Sequence, residues 1–161
     1  MTIAFILNGE DVVIRTDANR RLIDILRGTF HLLGAKMGCL TGNCGACSII
    51  FNGNVIQSCL IPAFRARGSE IITIEGFSQT DEYQDIVVGF SEAGLENCGY
   101  CDTGKILATE ALLGRHPRPG RDTILAAFNG IKCRCTDPET LVTGVLAVAD
   151  IRQRRLYGRS A

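Results

Sequence analysis

The sequence has no excess of charge of either sign. Its 161 residues include 17 lysines and arginines and 17 aspartates and glutamates, so the formal net charge is zero. Nucleic acids and anionic membrane surfaces attract proteins that carry clusters of basic residues. The charge balance therefore gives no reason to expect a nucleic acid or a membrane as a partner.

Long apolar runs and an export signal are also missing. No stretch reaches the roughly 20 apolar residues that span a bilayer. Residues 1–10 contain neither the basic segment nor the cleavage site of a secretory signal. We therefore predict a cytoplasmic protein, in which cysteines stay reduced and bind metal more often than they form disulfides. A secreted domain held by disulfides is the alternative.

Cysteine is abundant, and its spacing is informative. Of the eight cysteines, the first four follow the pattern C-x4-C-x2-C-x11-C, and we call them the first set: Cys39, Cys44, Cys47 and Cys59. The first three have the spacing of plant-type [2Fe-2S] ferredoxins. Thiolates are soft ligands that suit iron, and four of them complete the coordination of two bridged irons. The pattern predicts a [2Fe-2S] cluster.

Glycines interrupt this cysteine loop at Gly38, Gly42 and Gly45. Glycine lets the backbone approach a cluster closely and adopts positive φ without strain. We therefore count these three residues as cofactor-binding.

The remaining cysteines form a second set: Cys98, Cys101, Cys133 and Cys135. Their C-x2-C and C-x-C pairs precede two predicted helices, whose free N-terminal amides would stabilise an anionic cluster. On spacing alone the set also suits zinc, and a redox dithiol is a weaker alternative. The two histidines of the chain lie outside both sets, which argues against a Rieske-type centre.

The hydrophobic pattern divides the chain near residue 76. Asn8-Gly9 and Asn52-Gly53 each separate two short apolar alternations, which is a strong hairpin signal. A helix capped by Asp17 or Asn19 is predicted between the hairpins. The expected elements are strands at 2–7, 12–16, 48–51, 55–58 and 71–74 and a helix at 20–30. Together they predict a plant-type ferredoxin-like β-grasp domain over residues 1–76.

Beyond a polar linker at 77–84, the apolar period changes from two to about 3.6. Helices are predicted at 85–93, 105–113, 122–128 and 138–156, the last capped by Thr136 or Asp137. Residues 85–161 are therefore expected to form a small four-helix bundle domain. The complete fold class is α+β. Arginines at 152, 154, 155 and 159 suggest either a solvated helix end or a surface that docks on a partner.

The whole chain resembles the small iron–sulfur subunit of the molybdenum hydroxylases, the xanthine dehydrogenase and aldehyde oxidoreductase family. The matching residues are Gly34-x-Lys36-x-Gly38-Cys39-x-x-Gly42-x-Cys44-Gly45-Ala46-Cys47, then Cys59, Cys98-Gly99-Tyr100-Cys101 and Cys133-Arg134-Cys135-Thr136. The resemblance implies two [2Fe-2S] clusters in this chain and a hetero-oligomer with a molybdopterin-binding large subunit. It also implies an FAD-binding medium subunit.

The sequence departs from the family pattern around the second set. The family has Gln where Asn97 stands, and Cys-Thr-Pro-Gly where Cys101 is followed by Asp102 and Thr103. Further departures are Ile131 and Asp137. Because the family's Gln contacts the pterin, Asn97 is counted as cofactor-binding. The departures predict an altered contact with the molybdenum cofactor.

Charge near a cluster influences its redox state, because reduction adds a negative charge. Arg134 lies between two cysteines of the second set and is counted as cofactor-binding for this reason.

The expected function is electron transfer between a molybdopterin subunit and a flavin subunit, with no catalytic residue in this chain. The alternative is a standalone ferredoxin-like binding module whose helical domain is held by zinc.

Overall fold

The structure, a computed structural model, describes residues 1–158. The N-terminal half contains one mixed five-stranded sheet in the order β2-β1-β5-β3-β4. Its strands are β1 (Thr2–Leu7), β2 (Glu10–Arg15), β3 (Ser48–Phe51), β4 (Asn54–Gln57) and β5 (Glu70–Ile72). β1 runs parallel to β5, and the other three neighbouring pairs are antiparallel.

Both predicted hairpin turns are present. Asn8 and Gly9 have φ values of 52° and 86°, and Asn52 and Gly53 have φ values of 48° and 77°. Two successive residues with positive φ give the tight turn whose twist matches that of paired strands. The second hairpin joins β3 to β4 and therefore brings residue 57 beside residue 48.

The first helix, α1 (Leu22–Gly28), is shorter than predicted. It begins after Arg21, which makes no side-chain capping bond, so the predicted caps Asp17 and Asn19 are wrong. Residues 17–20 instead form a turn in which the Arg20 amide donates to the Asp17 carbonyl. The helix is held by its apolar face, which buries Leu22, Ile25 and Leu26 in the core beneath the sheet.

Three short helices were not predicted: the 3-10 helices Ser58–Leu60 and Ala63–Ala66, and α2 (Ile74–Phe77). The first replaces the end of the strand expected at 55–58, and α2 replaces the end of the strand expected at 71–74. Each contains three or four residues, which is too short for a hydrophobic period to be recognised. The first matters most, because it carries Cys59.

The C-terminal half contains α3 (Asp81–Glu92), α4 (Asp102–Arg115), α5 (Arg121–Ala127) and α6 (Pro138–Tyr157). α3 begins four residues earlier than expected, inside the stretch interpreted as a linker. Thr80 caps it by accepting from the Tyr83 amide. Asp137 caps α6 as predicted, since its side chain accepts from the amides of Glu139 and Thr140 at 3.0 Å. This bond is the usual stabiliser of a helix start.

The two halves share a packed boundary. Ile50, Val55 and Ile72 of the sheet pack against the core of the C-terminal helices. This core contains Phe90, Leu107 and Val145, which are almost completely buried. The contact fixes both cysteine regions relative to each other. Among residues 1–158, no helix is long and apolar enough to cross a membrane.

Candidate metal centres

The loop before β3 wraps around the first thiol of the first set. Three backbone amides point at Cys39 Sγ: those of Thr41 at 3.4 Å, Asn43 at 3.2 Å and Cys44 at 3.4 Å. Hydrogen bonds from Thr41, and then from the Asn43 and Cys44 amides, lower the pKa of Cys39 to about 6. Such donors favour the charged form of the sulfur, which is the form that binds metal.

The β3–β4 hairpin brings the last two thiols of the first set together. Cys47 immediately precedes β3 and Cys59 follows β4, and their thiols are in hydrogen-bonding contact. Ser58 fixes this end of the hairpin, because both its amide and its hydroxyl donate to the Cys47 carbonyl, at 3.2 and 2.8 Å. Burial raises the pKa of Cys47 to about 11, and the neighbouring Cys59 thiol contributes. The eleven-residue gap in the sequence is thus closed by one hairpin.

The predicted glycines have specific steric reasons. A Cβ on Gly38 would lie 2.7 Å from Cys44 Sγ and 3.0 Å from the Tyr100 hydroxyl. Gly42 and Gly45 have φ values of 75° and 72°. A Cβ on Gly45 would also lie 2.5 Å from the Gly130 carbonyl oxygen. The cysteine loop therefore leaves no room for side chains at these positions.

The thiols of the second set are arranged as two pairs. Cys101 contacts Cys133, and Cys98 contacts Cys135. Burial, followed by the contact with Cys133, raises the pKa of Cys101 to about 12. The contact with Cys98 raises the pKa of Cys135.

Helix starts position these thiols. Cys101 is the N-terminal cap residue of α4, and the C-x-C pair Cys133/Cys135 ends two residues before Asp137, the cap of α6. Burial opposes ionisation of Cys133, but the Cys101 thiol and the amides of Cys135 and Thr136 donate to it and lower its pKa. The sequence-based expectation that helix N-termini surround this set is met.

The donor set fits paired irons. All eight cysteines are free thiols. In the part of the chain that the structure describes, no group of three or more histidine, cysteine or acidic side chains converges on one metal position. Thiols in pairs match a cluster in which each iron takes two protein ligands. The three thiol pairs in contact, Cys47–Cys59, Cys101–Cys133 and Cys98–Cys135, are therefore compatible with a binuclear centre.

Asn97 and Arg134 stand differently toward the second set, because Arg134 lines the same cavity as its four thiols and Asn97 does not line that cavity. Both side chains are exposed. Asn97 lies in the irregular segment between α3 and α4, and Arg134 lies between the two thiols that precede α6. Their predicted roles toward cofactors stay predictions, and their exposure leaves them free to face another chain.

The other departures from the family pattern are used inside this chain. Thr103 is buried and its hydroxyl donates to the Gly34 carbonyl at 2.9 Å. Ile131 packs over Gly45, and Asp137 caps α6. These three residues therefore serve the local structure.

Asp102 has a partner that the sequence analysis missed. The Lys105 ammonium lies 3.1 Å from Asp102 Oδ1, and Lys105 is 1% exposed. Lys105 was predicted only as the first residue of a helix. Its i to i+3 spacing from Asp102 was a usable signal, but its burial was not visible in the sequence.

The two cysteine sets meet at a close backbone contact. The Lys132 amide donates to the Cys44 carbonyl at 2.9 Å. Lys132 directly precedes Cys133, so one hydrogen bond joins a residue of the first set to the neighbour of a residue of the second. Glycine permits this approach from both sides, since a Cβ on Gly104 would lie 2.7 Å from the Gly45 carbonyl oxygen.

Two family models match consecutive parts of this chain. Residues 5–71 match the family described as "2Fe-2S iron-sulfur cluster binding domain", and residues 73–146 match the "[2Fe-2S] binding domain". The nicotinate dehydrogenase small FeS subunit of Eubacterium barkeri is 44% identical over 136 residues, covering 84% of this chain and 87% of that subunit. The chain belongs to the small iron–sulfur subunits of the molybdenum hydroxylase family. The predicted family membership is thereby confirmed, and the chain is an oxidoreductase subunit by descent.

Other proteins are similar to this chain over most of its length. The nicotine 6-hydroxylase small subunit of Paenarthrobacter nicotinovorans is 34% identical over 140 residues, covering 87% of this chain and 84% of that subunit. Quinoline 2-oxidoreductase from Pseudomonas putida 86 superposes with a TM-score of 0.84 at 34% identity, with 96% of each chain covered. Aldehyde oxidoreductase from Desulfovibrio gigas has a TM-score of 0.85 at 30% identity, where this chain covers 18% of a much longer chain. An α+β fold with a ferredoxin-like domain is therefore confirmed.

Proposed function

We propose that this chain is the electron-transfer subunit of a molybdenum hydroxylase-type oxidoreductase and carries two [2Fe-2S] clusters. The first set would hold one cluster through its four thiols. The second set would hold the other cluster, through the observed thiol pairs. When bound, such clusters accept and release one electron at a time.

The hydrogen bond between Lys132 and Cys44 carries the proposal. It links the two cysteine sets through backbone only, at 2.9 Å. A short covalent and hydrogen-bonded connection between two redox centres suits a relay, whereas two independent metal sites do not require it. The protein's part is to bind, orient and shield the centres, while the redox chemistry belongs to the cofactor.

The partners are proposed from relatives. Several relatives are named as small subunits, and in the aldehyde oxidoreductase the matching region is one part of a longer chain. We infer a hetero-oligomer with a molybdopterin-binding large subunit and an FAD-binding medium subunit, in the cytoplasm. Exposed Asn97 and Arg134 would face the molybdopterin side. A complex in which Asn97 lies far from any cofactor would contradict that role.

The domain division is proposed at residues 1–76, 77–84 and 85–161, with the C-terminal helices regarded as a four-helix bundle. Because α3 already begins at Asp81, the segment that connects the two domains is shorter than the predicted interval 77–84. Residues 159–161, including Arg159, lie outside the described part. No catalytic residue is assigned, since the proposed role needs only ligands, burial and hydrogen bonds.

Metal analysis separates this proposal from the alternative of a standalone ferredoxin with a zinc-held helical domain. We expect four irons and no zinc per chain in the purified native complex, together with molybdopterin- and flavin-containing chains. Two irons and one zinc, or a chain that purifies alone with full metal, would support the alternative. Substrate turnover by the isolated chain would contradict a non-catalytic role.

Ligand variants test the two sets separately. We expect Cys47→Ser and Cys98→Ser each to remove one of two electron paramagnetic resonance signals and about half of the iron. Val13→Ser is a control, because Val13 is 69% exposed and lies away from both sets. Loss of both signals in either variant without unfolding would contradict two separate clusters.

A further inference from the structure

A buried ion pair lies under the second set. Lys105 is in the first turn of α4, and its backbone amide donates to the Cys101 carbonyl at 3.1 Å. Its side chain is 2% exposed and that of Asp102 is 14% exposed. A lysine this deeply buried is rare in proteins unless it is paired.

The ammonium reaches both halves of the set. It lies 3.1 Å from Asp102 Oδ1 and 3.3 Å from Thr136 Oγ1. Asp102 directly follows Cys101, and Thr136 directly follows Cys135. The Thr136 contact is a hydrogen bond, whereas the Asp102 contact is an ion pair without hydrogen-bond geometry, because Asp102 Oδ1 has no hydrogen-bond partner among the described residues.

Stability alone does not account for this pair. Removing two charges from water costs several kcal/mol per ion, and a buried pair is often no more stabilising than apolar residues of the same volume. The surrounding α4 residues Ile106, Leu107 and Ala108 are buried and apolar, so a neutral side chain would be compatible with this core. The charge at residue 105 therefore calls for another role.

We propose that Lys105 raises the reduction potential of the cluster held by the second set, and that Asp102 opposes it. The inference rests on the proposed function, because it requires a redox cluster at these thiols. Reduction adds one negative charge, which a nearby buried cation stabilises and a nearby carboxylate destabilises. Burial makes the effect large, since little water screens it.

Lys132 supplies a matched comparison. It also lies next to a thiol of the second set, directly before Cys133, but its side chain is exposed. If burial gives Lys105 its influence, neutralising Lys132 has a much smaller effect. Comparing the two variants therefore distinguishes the effect of an exposed charge that is adjacent in sequence from that of a buried charge.

The test is a redox titration of the holoprotein followed by electron paramagnetic resonance. In Lys105→Met we expect the second-set cluster to become harder to reduce, with an approximately tenfold change in the ratio of oxidised to reduced form at a fixed potential. This is a downward shift of about 59 mV for a one-electron couple. Asp102→Asn should shift the same potential upward. The first-set potential serves as the internal control and should not move.

The outcomes distinguish this inference from the proposed function. If the wild-type protein shows only one iron–sulfur signal, the two-cluster proposal fails. If both signals are present but Lys105→Met leaves the second potential unchanged, or Lys132→Met shifts it as much, the role of Lys105 is contradicted. If Lys105→Met does not assemble its cluster, Asp102→Asn decides, because an unchanged or lowered potential would overturn the inference.

Discussion

At the scale of single residues, the environment of each cysteine differs more than the sequence pattern implies. The Cys39 sulfur accepts hydrogen bonds from three backbone amides, whereas Cys47 and Cys101 are buried. In the metal-free protein, the surroundings of Cys39 therefore favour the thiolate, whereas those of Cys47 and Cys101 favour the neutral thiol. This difference has a direct chemical consequence for the metal-free protein.

We predict that Cys39 is the most readily alkylated ligand of the first set after iron removal. Its pKa is lowered to about 6 by hydrogen bonds from Thr41, so it is mostly thiolate at pH 7 and loses reactivity as the pH falls through about 6. Cys47, with a pKa raised to about 11 by burial, should react only in strong alkali. Iodoacetamide labelling against pH, read by peptide mass spectrometry, measures both.

Thr41 variants provide the control for Cys39. Thr41→Val removes the side-chain hydrogen bond and should move the labelling midpoint upward, whereas Thr41→Ser should keep it low. A midpoint near 9 in the unaltered protein would show that these hydrogen bonds do not form without metal.

At the scale of elements, α6 is attached to α3 and α4 by a charge network. Arg152 of α6 contacts Glu110 of α4 at 2.7 Å and Asp85 of α3 at 3.5 Å. Arg155 of α6 contacts the same Asp85 at 2.9 Å and Glu82 at 3.0 Å. These arginines therefore join helices within the chain, which limits the expected docking surface at the helix end to residues outside this network.

We predict that Asp85→Ala destabilises the protein by about 3–5 kcal/mol, because it leaves the buried Arg152 cation with an incomplete set of partners. The side chains of Asp85 and Arg152 are only 5% and 10% exposed. Thermal melting of the holoprotein, monitored by helical circular dichroism, measures the loss.

Glu139→Gln is the matched comparison for this network. It breaks an ion pair with Arg121 in which both side chains are more than half exposed, and exposed pairs contribute little. We expect almost no change in melting temperature. Equal losses in the two variants would show that the network around Asp85 behaves as an ordinary surface pair.

At the scale of the whole molecule, the two halves approach each other through glycines near the cysteine sets, in addition to the apolar packing of the sheet against the helices. Gly45 lies against Gly130 and Ile131, and Gly104 lies against the Gly45 carbonyl. The Lys132–Cys44 hydrogen bond lies in the same boundary. The relative placement of the two cysteine sets therefore depends on an approach that only residues without side chains permit.

We predict that Gly45→Ala lowers the melting temperature more than Gly53→Ala does. Both glycines have positive φ, 72° and 77°, so each alanine carries about 1–2 kcal/mol of backbone strain. Only at Gly45 does the new Cβ meet backbone, 2.5 Å from the Gly130 oxygen, whereas nothing lies within 4 Å at Gly53. The additional overpacking is worth about 1–3 kcal/mol.

The magnetic interaction between the two clusters gives a second measurement for the same pair of variants. Because the steric conflict separates the two cysteine loops, Gly45→Ala should weaken the magnetic interaction between the two iron–sulfur signals, and Gly53→Ala should preserve it. Equal melting temperatures and equal coupling in the two variants would contradict a rigid boundary at Gly45.

Features determined by neighbouring residues were predictable from the sequence alone. The two Asn-Gly hairpins, the Asp137 cap and the eight candidate thiols follow from local chemistry and spacing, because turns, caps and ligand motifs involve residues a few positions apart. The caps proposed for α1 failed for a related reason: its apolar face decides where it begins, and Asp17 and Asn19 lie too far from Leu22 to serve it.

Only the tertiary structure decided which thiols pair, how close the two sets lie, and that Lys105 is buried beneath the second set. Cys47 meets Cys59, and Cys101 meets Cys133, through strand pairing and helix packing over distances that no local pattern encodes. From the sequence alone, a lysine in the first turn of a helix is expected to be exposed to solvent, and only the packing of the surrounding elements shows that it is buried. Burial and long-range contact are properties of the packed chain, because they depend on side chains that are far apart in the sequence.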